Sequence, residues 1–272
     1  LAEKKVPVEM ANSMPEARTI LGKIWQEGDL FLVMGAGDST HLAHRIAVEA
    51  PLFLGIRKLV AGKGEVRWYE PMHKHTTIRI GGPAQVWFEP DSEDSLAKVV
   101  RHCAEKKISL TVIGRGSNLL VRDGGLPGVS VNLGQPGLSK IEVVDGKVRA
   151  GAGARLKQIV AAAKAAGIGG LEFMEGIPGA LGGAMRMNAG AMDSWTFEVV
   201  EAVRVMDRGG KVKEVPADEF EVKYRKVPRL ETDIAVGAIL KGRAVQPAEI
   251  ADKLKKYSRK RWDSQPAAPS AG

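Results

Sequence analysis

Two glycine-rich stretches organise the chain: T-V-I-G-R-G-S-N-L-L-V-R-D at residues 111–123 and G-I-P-G-A-L-G-G-A-M-R-M-N-A-G-A at residues 176–191. In the first, a short apolar run ends at Gly114 and small polar residues follow. This pattern is typical of a strand that ends in a turn whose backbone N–H groups face an anion. Ser117 and Asn118 add side-chain donors to that turn. An ordinary tight turn gives the same G-x-G pattern, so the first stretch alone leaves both interpretations open.

The second stretch favours a ligand. Gly179, Gly182, Gly183 and Ala184 predict a surface almost bare of side chains, which suits a flat ring that lies on the backbone. Neither stretch gives G-x-G-x-x-G between a strand and a helix, so the dinucleotide fingerprint of Rossmann domains is absent from both. The two stretches together predict a site for a ligand with a flat ring and an anionic group.

Composition bounds the class of protein. The 272 residues are 44% apolar and 26% charged, which is typical of a globular protein. A single cysteine, no apolar run near the roughly 18 residues of a membrane span and no signal peptide predict a soluble, cytoplasmic protein. The net charge is +8, but 32 acidic residues are interspersed among 40 basic ones and no known nucleic-acid-binding motif accompanies them. We therefore expect small anionic ligands, such as diphosphates, and neither nucleic acid nor a membrane as a partner. No metal is expected, because no cluster of His or Cys residues suggests one.

The first quarter of the chain predicts a helix, a strand and a second helix. Ser13 opens a capping-box pattern that begins the first helix. Residues 30–34 are five apolar residues in a row, which predicts a strand buried on both faces. The second helix is expected to end near Ala50. Residues 51–64 show no strong period and contain three glycines, so we interpret them as a linker.

The rest of the chain alternates short strands with helices. Strands are predicted over residues 77–80, 85–88, 129–133, 141–144, 147–150, 199–206, 212–215 and 234–240, and helices after Asp91, over residues 156–166 and over residues 248–261. Cys103 falls on the apolar stripe of the helix after Asp91, where no adjacent pattern lowers a thiol pKa, so we interpret it as an inert core residue. Because strands outnumber helices and both kinds are mixed, the pattern predicts an α+β fold.

A family resemblance adds to this interpretation. The two glycine stretches and E-P-M-x-K-H-T-T-x-R-x-G-G-P-A at residues 70–84 resemble the UDP-N-acetylenolpyruvoylglucosamine reductases, the MurB family. The resemblance implies an FAD-binding domain of the vanillyl-alcohol-oxidase-like (PCMH-type) class over residues 65–245. It also implies the cofactor-binding residues, which are Gly114, Arg115, Gly116, Ser117, Asn118, Leu119, Gly176, Ile177, Pro178, Gly179, Gly182, Gly183, Asn188, Ala189 and Gly190.

The same resemblance implies a reaction. NADPH reduces bound FAD, which then passes hydride to the enolpyruvyl double bond of UDP-N-acetylglucosamine enolpyruvate to give UDP-N-acetylmuramate. Arg225 matches the arginine of the family's Tyr-Arg motif, which polarises the substrate, and a guanidinium suits that task because it stays charged. Tyr224 is either a substrate contact or a packing residue. Arg261 falls where the family places a basic residue near the UDP diphosphate, although most of its helix is expected to be a solvated face.

A second resemblance concerns the first fifty residues. The segment G-D-L-F-L-V-M-G-A-G-D at residues 28–38 resembles the last strand and turn of the UDP-N-acetylmuramate–alanine ligases, the MurC family. Residues 1–50 are therefore interpreted as the remnant of a ligase fused upstream of the reductase. Residues 246–272 would begin a truncated substrate-binding part, because the family's donor serine would follow Gly272. The alternative is a non-catalytic flavin- or nucleotide-binding module that docks other Mur enzymes.

Overall fold

Two main β-sheets and the helices packed on them form the fold of the computed structural model, which describes residues 8–26, 28–35 and 37–264. The helices are α1 (Met14–Ile24), α2 (Asp38–Val60), α3 (Glu93–Glu105), α4 (Pro136–Ser139), α5 (Leu156–Ala165), α6 (Leu181–Arg186), α7 (Thr196–Val199), α8 (Arg229–Thr232) and α9 (Pro247–Ser264). The strands are β1 (Glu65–Pro71), β2 (Pro83–Glu89), β3 (Leu110–Ile113), β4 (Leu126–Asn132), β5 (Ile141–Val144), β6 (Lys147–Gly151), β7 (Ile168–Gly169), β8 (Gly190–Ala191), β9 (Ser194–Trp195), β10 (Val200–Met206), β11 (Val212–Pro216), β12 (Ile234–Leu240) and β13 (Arg243–Ala244).

The two main sheets differ in strand direction. The first has the order β1-β2-β4-β3, in which β2, β4 and β3 are parallel and β1 runs antiparallel to β2. The second has the order β11-β10-β12-β6-β5 and is antiparallel throughout. Every residue of its central strand, β12, is buried, which explains the uninterrupted apolar run of that segment. This mixture confirms the predicted α+β class.

The cores of the two sheets meet. Leu96 and Val99 of α3 pack on the first sheet, while Ile159 of α5 belongs to the core of the second sheet. Ala152, which directly follows β6, and Ile234 of β12 are buried with the residues of the first sheet. This shared core holds the two sheets together and fixes the walls of the cleft described below.

Two local predictions are confirmed and a third, the N-cap of α3, is corrected. The hairpin between β5 and β6 turns at Asp145 (φ 51°) and Gly146 (φ 71°), the left-handed pair that a two-residue hairpin needs. The N-cap of α3 is Ser92 rather than Asp91, whose carboxylate accepts hydrogen bonds from the hydroxyls of Ser92 and Ser95 instead. Cys103 is buried, and this burial raises its thiol pKa to about 11, as an inert core residue requires.

The strand predicted over residues 30–34 is wrong. These residues have no regular structure, and Leu30, Leu32 and Met34 are 93%, 74% and 83% exposed. An apolar run becomes a buried strand only where neighbouring strands complete its hydrogen bonds. Within the described residues no strand lies beside this segment.

The end of the second helix, predicted near Ala50, is wrong, while the division of the chain into domains stays a prediction. Residues 51–60 form the second half of α2, so the expected boundary at residue 50 lies inside one continuous helix. Phe53 and Ile56 are fully buried, and the Phe53 ring stacks on Trp68 of β1 at 5.6 Å. In α1, Gly22 lies against the Cβ of Trp68. The two N-terminal helices therefore pack on the first sheet.

The strand predicted over residues 77–80 is a turn. Arg79 has a left-handed φ of 60°, which no strand residue adopts, and the Thr76 hydroxyl donates a 2.7 Å hydrogen bond to the Ile80 carbonyl.

Among the described helices, none is long and apolar enough to cross a membrane.

Candidate functional site

A cleft of about 1020 Å³ opens between the two main sheets. Its size lies at the upper end of the range of about 300–1,000 Å³ that small-molecule sites occupy. One wall is the end of β3 and the turn at Gly114 and Arg115, and the opposite wall includes Gly182 and Gly183 of α6. The cleft thus brings together the two glycine stretches that the sequence singled out.

The first wall is held rigidly. The Asn132 amide donates to the carbonyls of Ile113 and Gly114, at 3.0 and 2.9 Å, and so fixes the end of β3. Gly116 has a φ of 61°, and a Cβ added there would lie 2.1 Å from the His75 carbonyl oxygen. Only glycine fits this position without displacing the backbone. The Ser117 hydroxyl donates a 2.8 Å hydrogen bond to the Pro178 carbonyl, which ties the first stretch to the second.

A third segment completes the backbone surface. Residues 152–156 follow β6, and they are hydrogen-bonded to the second glycine stretch by Gly182 N to Ala152 O (2.8 Å) and Leu181 N to Ala154 O (3.0 Å). Arg155 pairs with Ala180 in an isolated antiparallel bridge. The sequence analysis did not assign this segment to the cofactor site. The sequence Gly151-Ala152-Gly153 could have indicated a backbone surface here, but it does not by itself show that this segment pairs with the second glycine stretch.

Two glycines of the second stretch differ in their surroundings. A Cβ added at Gly182 would lie 3.1 Å from the Ala152 Cβ, so this residue allows the two segments to pack closely. A Cβ added at Gly183 would meet no atom within 4 Å, because this position opens into the cleft. Gly183 therefore presents bare backbone to a ligand, as a flat ring would require.

The charges that line the cleft are unbalanced. Its three carboxylates are each paired, Glu89 with Arg67 (3.0 Å), Glu231 with Arg186 (3.0 Å) and Asp233 with Arg229 (3.4 Å). Five of its six lysine and arginine side chains have no carboxylate within 4 Å among the described residues, and these are Lys74, Arg79, Arg115, Arg155 and Arg208. Burial and the neighbouring charge of Arg155 lower the pKa of Arg115. A polyanionic ligand would neutralise this excess.

A partly buried polar network adjoins the first wall. The His75 ring stacks on Trp87 at 4.0 Å, and its Nε2 lies 2.8 Å from a Glu70 carboxylate oxygen. Arg67 donates to Glu70 at 3.1 Å and to Glu89 at 3.0 Å. Burial works to raise the pKa of Glu70, but the hydrogen bond with His75 and the charge of Arg67 outweigh it and hold that pKa below its ordinary value. Because His75 and Glu89 also line the cleft, this network supports its first wall.

Other proposed cofactor residues do not line the cleft. The amide oxygen of Asn188 accepts from the Phe197 N–H at 3.1 Å, and the Ala189 carbonyl accepts from the Thr196 hydroxyl at 2.7 Å. Gly190 pairs with Trp195 in the β8–β9 hairpin. The remaining residues of the proposed set that lie outside the lining are Gly116, Ser117, Asn118, Leu119, Gly176, Ile177, Pro178 and Gly179. A cofactor role for all of these residues stays a prediction.

The proposed catalytic arginine lies away from the cleft lining. Arg225 has a left-handed φ of 57°, in a turn closed by the hydrogen bond from Lys223 N to Lys226 O at 2.8 Å. Its guanidinium lies 5.6 Å from the centre of the ring of Tyr224. The Tyr224 side chain is 76% exposed and packs edge-on against Trp195.

The side chain of Arg261 lies outside the described part of the structure. Among the described residues, no group of three His, Cys, Asp or Glu side chains could hold a metal ion.

Comparison with known proteins identifies the fold and the family. The family model of the FAD binding domain matches residues 84–216, which contain both glycine stretches and the third segment. The 6-hydroxy-D-nicotine oxidase of Arthrobacter nicotinovorans has a similar fold, with a TM-score of 0.50 at 16% identity over 67% of this chain and 42% of that chain. The fold and the cleft therefore define an FAD-binding domain of the PCMH type.

Similar sequences narrow this class. The UDP-N-acetylenolpyruvoylglucosamine reductase of Maricaulis maris is 42% identical over 72% of this chain and 62% of its own length. The enzyme of the same name from Paramagnetospirillum magneticum is 38% identical over 77% of this chain and 68% of its own. The crystal structure of UDP-N-acetylenolpyruvylglucosamine reductase (MurB) from Thermus caldophilus matches with a TM-score of 0.65 at 31% identity, over 77% of this chain and 73% of that chain. The chain belongs to the UDP-N-acetylenolpyruvoylglucosamine reductase family, and it spans about two thirds of the length of these relatives.

Proposed function

We propose that the cleft binds FAD and that the chain is the flavin-binding part of a UDP-N-acetylenolpyruvoylglucosamine reductase. The observation that carries this proposal is the backbone cradle formed by three segments from different parts of the chain. Gly183 is open to the cleft while Gly182 packs against Ala152, so the cradle offers bare main chain to a flat ring. The unpaired basic side chains along the same cleft suit the diphosphate of a dinucleotide.

We propose NADPH as the electron donor and UDP-N-acetylglucosamine enolpyruvate as the acceptor. When bound, the flavin supplies the chemistry of hydride transfer. The protein then has to stabilise negative charge that develops beside the substrate carboxylate and to supply a proton to that carbon. Arg225 is the candidate for the first task. Arg225 is exposed on a turn, so its guanidinium can contact a substrate that extends beyond the cleft.

The experiment that tests this function has two stages. Purified protein is first titrated with FAD while the quenching of flavin fluorescence is recorded, and we expect one FAD per chain. The loaded protein is then mixed anaerobically with NADPH or with NADH, and loss of the flavin absorption band reports reduction. We expect NADPH to reduce the flavin faster than NADH. Failure to bind FAD would refute the proposed cofactor. No reduction by NADPH, or reduction by NADPH and NADH at the same rate, would refute the proposed electron donor.

We also propose that residues 1–50 derive from the end of a Mur ligase and that the protein is cytoplasmic. The resemblance of residues 28–38 to the ligases supports the first point. A strand from a ligase sheet would have lost its neighbours, and the apolar side chains of Leu30, Leu32 and Met34 are exposed here. The single cysteine, which is buried and cannot form a disulfide within the chain, supports the second point. Sequencing the coding DNA upstream tests the fusion, because a reading frame without ligase sequence would refute it.

A further inference from the structure

We propose that Arg115 and Arg155 act together as a diphosphate-binding pair in the cleft. This inference deepens the proposed function and rests on it. The ligands of that function share one chemical group, because FAD, NADPH and the UDP-sugar each carry a diphosphate. The pair would bind this group and make the cleft select diphosphate ligands over smaller flavins.

The backbone brings the two arginines to one place. Arg155 forms its antiparallel bridge with Ala180 of the second glycine stretch. On the first wall, a Cβ built on Gly114 would lie 4.0 Å from the Cβ of the same Ala180, and Arg115 is the next residue. Ala180 is thus the shared neighbour of both segments. Both arginine side chains line the cleft.

The charges of the pair are uncompensated. Neither guanidinium has a carboxylate within 4 Å among the described residues, whereas Arg186, in the same cleft, is paired with Glu231 at 3.0 Å. Burial lowers the pKa of Arg115, and the neighbouring charge of Arg155 acts in the same direction. Two like charges that repel each other in the free protein cost stability, and a dianion between them would remove that cost. Two guanidinium groups also match the geometry of adjacent phosphate oxygens.

Main-chain N–H groups and arginine side chains contribute differently to binding in this arrangement. The turn at Gly114 offers main-chain N–H groups, which bind any flavin phosphate without distinguishing its length. The arginine pair adds charge that a ligand without a phosphate cannot use. Selection between FAD and riboflavin is therefore the property that the pair should control.

The test compares single variants of the full chain. Arg115→Gln and Arg155→Gln each remove one charge. Arg155→Lys keeps the charge but loses the planar guanidinium group, and Lys157→Gln is the matched control. Lys157 lies two residues from Arg155, is 71% exposed and does not line the cleft. Dissociation constants are measured for FAD and for riboflavin at two salt concentrations. UDP and NADP⁺ are then titrated into the FAD-loaded proteins.

We expect each glutamine variant to bind FAD roughly tenfold more weakly, with riboflavin affinity unchanged and a weaker salt dependence. Arg155→Lys should fall between the wild type and Arg155→Gln, and Lys157→Gln should match the wild type. The melting temperature without flavin should not fall in Arg155→Gln, because a repulsion is removed, while the rise produced by FAD should shrink.

The other outcomes separate the possible sources of the diphosphate. Weaker binding of UDP or NADP⁺ with unchanged FAD affinity would assign the pair to the substrate or to the electron donor. An equal loss for FAD and riboflavin would overturn the proposal, since it would show a damaged cleft rather than a lost phosphate contact. Unchanged affinity for all four ligands would also overturn it. A wild-type chain that binds no FAD would instead refute the proposed function.

Discussion

The substitution Gly183→Leu tests the position of the flavin without disturbing the fold. A Cβ at Gly183 meets no atom within 4 Å, and the residue has no left-handed φ, so the backbone of α6 accepts a side chain. Leucine is also the better helix former, by up to about 0.5–1 kcal/mol. The free protein should therefore keep its melting temperature or gain slightly. The added side chain instead projects into the cleft that is proposed to hold the flavin ring.

The expected loss of affinity follows from that geometry. Forcing extra methylene groups into a filled site costs about 1–3 kcal/mol, which corresponds to roughly 5- to 150-fold weaker binding. The matched control is Gly55→Leu. Gly55 lies in α2, is exposed, and likewise has no atom within 4 Å of an added Cβ. The two variants introduce the same side chain into open space, but only one of them faces the cleft.

The assay is a flavin fluorescence titration together with thermal unfolding of the protein without flavin. We expect Gly183→Leu to lose FAD affinity while Gly55→Leu keeps it, with both proteins folded. Wild-type affinity in a folded Gly183→Leu protein would show that the ring does not lie against this part of α6. Equal losses in both variants would show that leucine acts through overall stability.

Three further variants test other parts of the account. Phe53→Ala should destabilise the whole protein by about 3–5 kcal/mol, measured by urea unfolding, because Phe53 is fully buried against Trp68; a loss below about 1 kcal/mol would restore the boundary at residue 50. Glu70→Gln should be less stable than the wild type at pH 7. Because the folded pKa of Glu70 is lowered from 4.5, that difference should shrink as the pH falls below about 4.5, and a difference that grows there would contradict the hydrogen bond with His75. Arg225→Ala should keep FAD affinity but lose the change in flavin absorption on addition of the enolpyruvyl substrate, and a wild-type spectral response would remove Arg225 from the site.

Local sequence signals predicted much of the fold. The hairpin at Asp145 and Gly146 needs only two left-handed residues between short apolar strands, and the sequence contains both. The strand predicted over residues 30–34 failed because a buried strand depends on neighbours that no local pattern reports. The strand predicted over residues 77–80 failed for a related reason. Besides the local bond from the Thr76 hydroxyl to the Ile80 carbonyl, this turn is held by a 3.1 Å hydrogen bond from the Thr77 N–H to the carbonyl of Gly116, which lies far along the chain.

The site was predicted in part. One cleft is lined by Gly114, Arg115, Gly182 and Gly183, all of which lie in the two glycine-rich stretches that the sequence analysis singled out. Residues 152–156 were missed because their role depends on hydrogen bonds to a stretch some 30 residues later. The charge imbalance was also invisible, because it requires knowing which carboxylates are already paired in three dimensions. Composition indicated only a mild basic excess, whereas the structure concentrates unpaired basic side chains along the cleft.

The most direct test of the central claim is a crystal structure of the full chain grown with FAD. We predict flavin density between the turn at Gly114 and the backbone of Gly182 and Gly183, with the diphosphate within hydrogen-bonding distance of Arg155. FAD bound elsewhere on the protein, or an empty cleft at a saturating concentration of FAD, would contradict the account.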